Sequence, residues 1–378
     1  MSTHDQLTTH HYQESEQLLN NENTSKTTTL MVGDAPLRQT TSFNFLKSKL
    51  LFRKLYHPLP YSTLFEKKSL IRSGFLLPYD VKISHLSGCI IVSDSENESL
   101  QILDLESCEL KCTIKIGHVT RYLAIEMDKR REKEYLYLSV ESGFLYKFDL
   151  AEMIGDALEG KALRYVWKIG ETNDEEYELE LPSGIAVSYS NKYKNEKCKM
   201  DENAIILLCD TGNNKILTFA SSDGSLIETF TTFIPSHLVQ EDNDYADEYL
   251  HSSLRQPIGI CLDQNEDIIM IEHNPSFAPN LHFLYKVGDV LVSKKSLHTQ
   301  CPSYVMFDPV KRHIFVSEGT STIAIMDSEG KNVKTVRTFK NDSQVEENFE
   351  LPDGMCINDK TGELYLVDCE KNQVLIFN

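Results

Sequence analysis

No apolar run in this chain of 378 residues approaches the roughly twenty that a membrane-crossing helix needs. The first thirty residues hold no basic start followed by an apolar core, so a secretory leader is not expected. Cysteine is sparse and scattered, with nine residues at 89, 108, 112, 198, 209, 261, 301, 356 and 369. An odd count argues against a complete disulfide framework. Cys108 and Cys112 form the one close pair, and no second pair is spaced to complete a zinc site. A reducing, cytoplasmic setting is therefore expected. Catalytic signatures are missing too: there is no Gly-x-Ser-x-Gly elbow, phosphate loop or His-Glu-x-x-His pattern. Positive charge is in short supply, with 38 Lys and Arg against 57 Asp and Glu, a net charge of −19. That excess repels phosphate, so nucleic acid is a disfavoured partner. Residues 1–58 are nearly balanced, which places the negative charge in the remainder.

What is present is repetition. Leu181-Pro-Ser-Gly-Ile-Ala-Val187 is answered by Ile205-Ile-Leu-Leu-Cys-Asp-Thr-Gly-Asn-Asn-Lys-Ile216, which reads as strand, turn, strand, turn, strand. Similar pieces begin at Pro78, Pro257, Pro302 and Pro352, and Thr120 stands at the corresponding place in the weakest copy. Aligned on these positions, six units appear, each with a first strand, an aliphatic second strand and a third strand. A fourth strand is visible in most, for example at Ser225–Phe230 and Lys331–Phe339. Four strands repeated six times read as an all-β, six-bladed β-propeller.

Pro-x-Gly-Ile-Ala-Val at 182–187 and Asp-Thr-Gly-Asn-Asn-Lys-Ile at 210–216 resemble the NHL repeat family, over about residues 71–378. The resemblance implies a six-bladed propeller that serves as a binding platform, though fold alone does not assign function.

Residues 1–41 are rich in Ser, Thr, Asn, Gln and His, and read as a disordered polar tail. Within 42–70, large apolar residues such as Phe43, Phe45, Leu46 and Leu50 mix with Lys47, Lys49, Arg53 and Lys54. On a helical wheel these spread all round, which disfavours a membrane-lying helix. The third strand of the last unit runs to Phe377, so that blade lacks a fourth strand. The N-terminal segment is expected to supply it, because an open sheet edge invites association. With the ring closed, a monomer is expected. The insertion at 191–202, with Lys192, Lys194, Lys197 and Lys199, and a short helix over Ala151–Lys161 read as decoration.

Three acidic runs stand just before repeat prolines: 171–180, 241–248 and 342–350. Strand alternation puts these connections on one face with the turns between second and third strands. Glu171, Asp174, Glu175, Glu176, Glu178, Glu241, Asp242, Asp244, Asp247, Glu248, Glu346 and Glu347 would then form an electronegative surface for a basic protein or peptide. Acids also recur after the second strands, at Asp94, Asp210, Glu272, Glu318 and Asp368; these read as turn caps.

Around the prolines, Tyr79, Asp80, Arg121, Ser183, Arg255, Ser303 and Asp353 should converge at the channel mouth and could hold a small polar ligand. Propeller hydrolases and lactonases similar to this architecture bind calcium near the axis. Here Asp80 and Asp353 are the available oxygen ligands, too few for a six- to eight-coordinate site. No cofactor is predicted, and a calcium-dependent hydrolase or lactonase is the alternative. RNA binding, which the NHL resemblance also implies, is a second alternative that the sign of the charge opposes.

Overall fold

Aliphatic runs such as Cys89–Asp94 and Ile205–Asp210 are buried at every position, so neither of their faces meets water. A strand buried on both sides must lie in a sheet packed between two others. Outer strands such as Leu110–Lys115 instead mix buried with exposed positions and face solvent. The computed structural model describes residues 67–170, 178–199, 203–238, 251–273, 280–340 and 345–377.

Six antiparallel sheets follow one another along the chain. Blade 1 runs from Pro78–Ser84 to Leu110–Lys115, blade 2 from Thr120–Asp128 to Trp167–Ile169, and blade 3 from Pro182–Ser188 to Leu226–Phe230. Blade 4 runs from Pro257–Leu262 to Val290–Leu297, and blade 5 from Pro302–Asp308 to Asn332–Val336. Blade 6 takes Pro352–Ile357, Leu364–Asp368 and Gln373–Phe377 from the end of the chain. Its fourth strand is Lys67–Ile71, which pairs antiparallel with Gln373–Phe377.

Six apolar clusters lie one between each pair of neighbouring blades. The cluster at the seam joins Val81, Ile90 and Val92 of blade 1 to Tyr365, Val367 and Val374 of blade 6, with Ile71 and Phe75. The ring is closed, and the chain is a six-bladed β-propeller.

The segment expected to complete the last blade does so through Lys67–Ile71; residues 1–66 otherwise lie outside the described residues. The single strand expected over Lys331–Phe339 is instead broken at Arg337. Its remainder, Thr338–Lys340, pairs with Glu346–Asn348 in a separate hairpin. The break sends Phe339 inward, where its ring lies 5.3 Å from Phe349 and 5.9 Å from Phe377. Blade 4 gains two short strands, Thr232–Ile234 and Ser252–Ser253, on its outer edge.

The helix forms at Leu150–Leu158, capped at its start by Asp149, whose carboxylate accepts the Glu152 N–H. It buries Leu150 and Met153 and so is part of the core between blades 1 and 2. The insertion after the first strand of blade 3 is likewise more than decoration. Tyr193 is fully buried in the cluster between blades 3 and 4, and its hydroxyl donates to the Glu266 carbonyl at 2.7 Å. Lys192 reaches Asp267 on the same neighbour.

Candidate functional site

The first strands begin at the prolines, and the face on which they begin is here termed the proline face. On it, the acids after the second strands act as latches. Leu76 N–H donates to Asp94 Oδ1 at 2.7 Å, Glu180 N–H to Asp210 Oδ1 at 2.8 Å, and Arg255 N–H to Glu272 Oε1 at 2.9 Å. Gln300 N–H donates to Glu318 Oε1 at 3.0 Å, and Leu351 N–H to Asp368 Oδ1 at 3.0 Å. In each case the carboxylate holds the connection that enters its own blade. Asp94 and Asp210 also take a bond from the side-chain amide three residues on, at Asn97 and Asn213, so they meet the turn through a side chain rather than through the backbone N–H groups expected of a turn cap.

The latched residues precede a sharp bend. Leu77, Leu181, Gln256 and Cys301, each immediately before a proline, have φ of 48°, 50°, 47° and 46°. Few residues other than glycine adopt this left-handed region. It recurs at four equivalent places because the bend delivers both the proline to the inner strand and the preceding N–H groups to the carboxylate.

The described ends of two acidic connections lie beside the turns between second and third strands. Asn213 Nδ2 donates to the Glu178 carbonyl at 2.9 Å, and Ser321 Oγ to the Glu350 carbonyl at 2.7 Å. Glu178, Glu346 and Glu347 are therefore on the proline face. Glu171, Asp174, Glu175, Glu176, Glu241, Asp242, Asp244, Asp247 and Glu248 lie outside the described residues. An open groove of about 570 Å³ between blades 5 and 6 carries Glu347 and Glu350, and also Arg337 and Lys371. Charge there is mixed rather than uniformly negative.

Toward the axis, most of the residues expected at the channel mouth are drawn into a plug. Arg121 lies over the Tyr79 ring at 4.6 Å and pairs with Glu141 at 2.9 Å. Tyr79 meets Tyr122 edge-on at 5.3 Å, and Tyr122 stacks on Tyr304 at 5.8 Å. The Tyr122 hydroxyl donates to the Ser303 carbonyl at 2.9 Å. Tyr122 belongs to blade 2 and Ser303 to blade 5, on opposite sides of the ring, so this bond spans the axis. Below it remains a void of about 10 Å³, room for one water at most. Backbone closes the rest: a Cβ on Gly184 would come within 2.8 Å of Gly259 Cα. Ser183 bonds Thr211 at 2.7 Å, and Arg255 is exposed.

Asp80 and Asp353 are both buried here, at 0% and 2% exposure. Asp80 Oδ1 takes the Lys82 ammonium at 2.5 Å and the Val81 N–H at 2.7 Å, while Oδ2 takes the Leu123 N–H at 2.9 Å. Lys82 also donates to the Tyr304 hydroxyl at 2.8 Å. Burial and then the Asp80 charge push Asp353 well above the usual carboxylate range. The Lys82 ammonium already neutralises Asp80, and two carboxylates are fewer than the six to eight oxygens that calcium takes, so the donor set fits that metal poorly. Among the described residues, no group of three or more His, Cys, Asp or Glu is placed to hold a metal ion.

The opposite end of the axis is open. A cavity of about 560 Å³ is walled by the far ends of the first strands of blades 1, 2, 3 and 6. Its lining includes Ile83, Leu123, Ile125, Ile185, Val187 and Ile357. Five positions after each proline, or after Thr120, stands a large apolar residue: Ile83, Ile125, Val187, Leu262, Phe307 and Ile357. All six are only partly buried, although each is in a first strand next to the axis. The sequence carries this ring at a fixed spacing, so it was available as a signal, but it is masked by the general apolarity of those strands.

No family profile matches the chain, and no curated protein matches it. Among solved structures, the chain is similar to Kuenenia stuttgartiensis hydrazine synthase, with a TM-score of 0.50 and 12% identity, over 81% of this chain and 78% of that one. A likeness at that identity concerns the fold alone.

Proposed function

We propose that this propeller is a protein-interaction platform that takes a basic protein or peptide on its proline face. The observation that carries the reading is the plug. A bond between opposite blades, from Tyr122 to Ser303, closes the axis on that side. The proline face therefore offers a surface of loops rather than an axial reaction chamber. Glu178, Glu346 and Glu347 support this reading, since the connections that carry them end at Glu180 and Leu351, whose N–H groups are held by the buried carboxylates Asp210 and Asp368. Such a field attracts cations and speeds encounter with them. The blades are proposed to be of NHL type, on the strength of the Pro-x-Gly and Asp-Thr-Gly-Asn-Asn patterns. Free thiols at all nine cysteines support a reducing compartment. Closure of the last blade supports a monomer, because it leaves no uncovered edge at Gln373–Phe377.

The test is binding to an immobilised lysine- and arginine-rich peptide. Replacing Glu171, Asp174, Glu175, Glu176 and Glu178, then Glu241, Asp242, Asp244, Asp247 and Glu248, by their amides should weaken binding about tenfold or more and flatten its salt dependence. Unchanged affinity and an unchanged salt slope would refute the reading.

A further inference from the structure

We propose that the open axial cavity on the face opposite the prolines binds a small, uncharged, mainly apolar molecule. The size fits: ligand sites generally enclose ~300–1,000 Å³ and are mostly apolar. This cavity holds about 560 Å³ and is walled largely by aliphatic side chains. Leu123 and Ile185 line both it and the small void beneath the plug, so they form its floor. The cavity is therefore blind, and a molecule that enters it leaves water on every side but one. Its wall comes from repetition. Ile83, Ile125, Val187 and Ile357 reach it from four different blades, because each stands at the same register in its first strand. All four are only partly buried, and covering such surface drives the binding of an apolar body.

The polar part of the lining selects against charge. Lys82 is committed to Asp80 and to the Tyr304 hydroxyl. Glu134 accepts a hydrogen bond from Ser84, and His85 and Asp359 also have partners within the protein. Burial pushes the Cys356 thiol and the Tyr189 hydroxyl above their usual ranges, so both stand in the lining uncharged. The Tyr189 hydroxyl accepts the Met127 N–H at 2.8 Å, which fixes its ring in the wall. Lys360 is exposed, where water screens its charge. An ion of either sign would give up its hydration on entering and meet only charges already engaged or screened. An uncharged molecule bears no such cost.

Two dyes that fluoresce in apolar surroundings test this: N-phenylnaphthylamine, which is uncharged, and anilinonaphthalene sulfonate, which has the same body with an anion added. With the full chain, the uncharged dye should bind saturably and about tenfold or more tighter than the sulfonate. Octanol should displace it, and octylammonium and octanoate, of the same chain length, should each need about tenfold higher concentration. Val187→Trp fills the cavity and should abolish binding; Ile125→Trp is a second filling variant should the first fail to fold. The pair Glu346→Lys and Glu347→Lys, on the proline face, should leave dye binding unchanged. Absence of saturable binding, equal affinity for the sulfonate, or displacement by either ion as readily as by octanol would overturn the assignment. So would full binding in a folded cavity-filled variant, or loss of binding in the proline-face variant.

Discussion

Asp353 is buried against Asp80, and its Oδ1 meets no hydrogen-bond donor among the described residues. A buried acceptor without a donor costs about 1–3 kcal/mol. The arrangement also makes stability depend on pH. The folded protein holds Asp353 above its unfolded value, so its protonated form is the one that folding favours. That contribution is complete below the unfolded value, near pH 4, and is lost as pH rises through the folded value. Asp353→Asn removes the ionisation. The variant should melt above the wild type at pH 7 to 8, and the gap should shrink as pH falls toward about 4. Thermal melts across that range would check it.

Glu126 and Lys147 form a second buried polar group, 3.0 Å apart and with side chains 2% and 4% exposed. Tyr137 and Ser221 complete it, and Ser221 belongs to the next blade. Lys147→Met leaves the Glu126 charge without its cation and should cost about 3–5 kcal/mol. Adding Glu126→Gln should recover part of that loss. Chemical denaturation of the single and double variants measures both effects.

The carboxylate latches make a local prediction. Asp210→Ala takes the acceptor from Glu180 N–H and from Asn213. The expected loss is about 1–3 kcal/mol, and proteolysis should increase around 178–181 before the rest of the domain opens. Asp210→Asn keeps one acceptor oxygen and should fall between the two. Equal protease resistance in all three proteins would show that the latch does not hold the connection.

Leu181 tests the bend. It is 45% exposed with φ of 50°, so its side chain contributes little packing while its backbone is strained. Leu181→Gly should be neutral or stabilising by up to about 1 kcal/mol, whereas Leu181→Val should destabilise by about 1–2 kcal/mol. Melting temperatures of the two variants should therefore move apart.

Much of this was legible in the sequence because a propeller repeats its instructions. The proline at the start of each first strand set the register, and the missing fourth strand after Phe377 required a partner from near the N-terminus. What could not be read was where the axis is open. Tyr79, Asp80, Arg121, Ser303 and Asp353 do come to the proline end, as their register demands. Whether they line a mouth or fill it depends on ring size and on the reach of Tyr122 to the opposite blade, which no local pattern encodes. Tyr193 escaped notice for a similar reason, since its burial depends on a neighbouring blade rather than on its own surroundings in the chain. The split of Lys331–Phe339 followed from Phe339 meeting Phe349 and Phe377, a contact between residues distant in sequence.

The seam between Lys67–Ile71 and Gln373–Phe377 also bears on synthesis. Arg72 meets Gln373, 301 positions away, so the outer strand of the final blade leaves the ribosome long before its partner exists. Until then Leu70 and Ile71 have no sheet to join, and five blades can assemble without the circle being complete. Contacts of such separation are slow to form. A chain stopped short of Gln373–Phe377 would leave Lys67–Ile71 without its sheet partner and the ring unclosed.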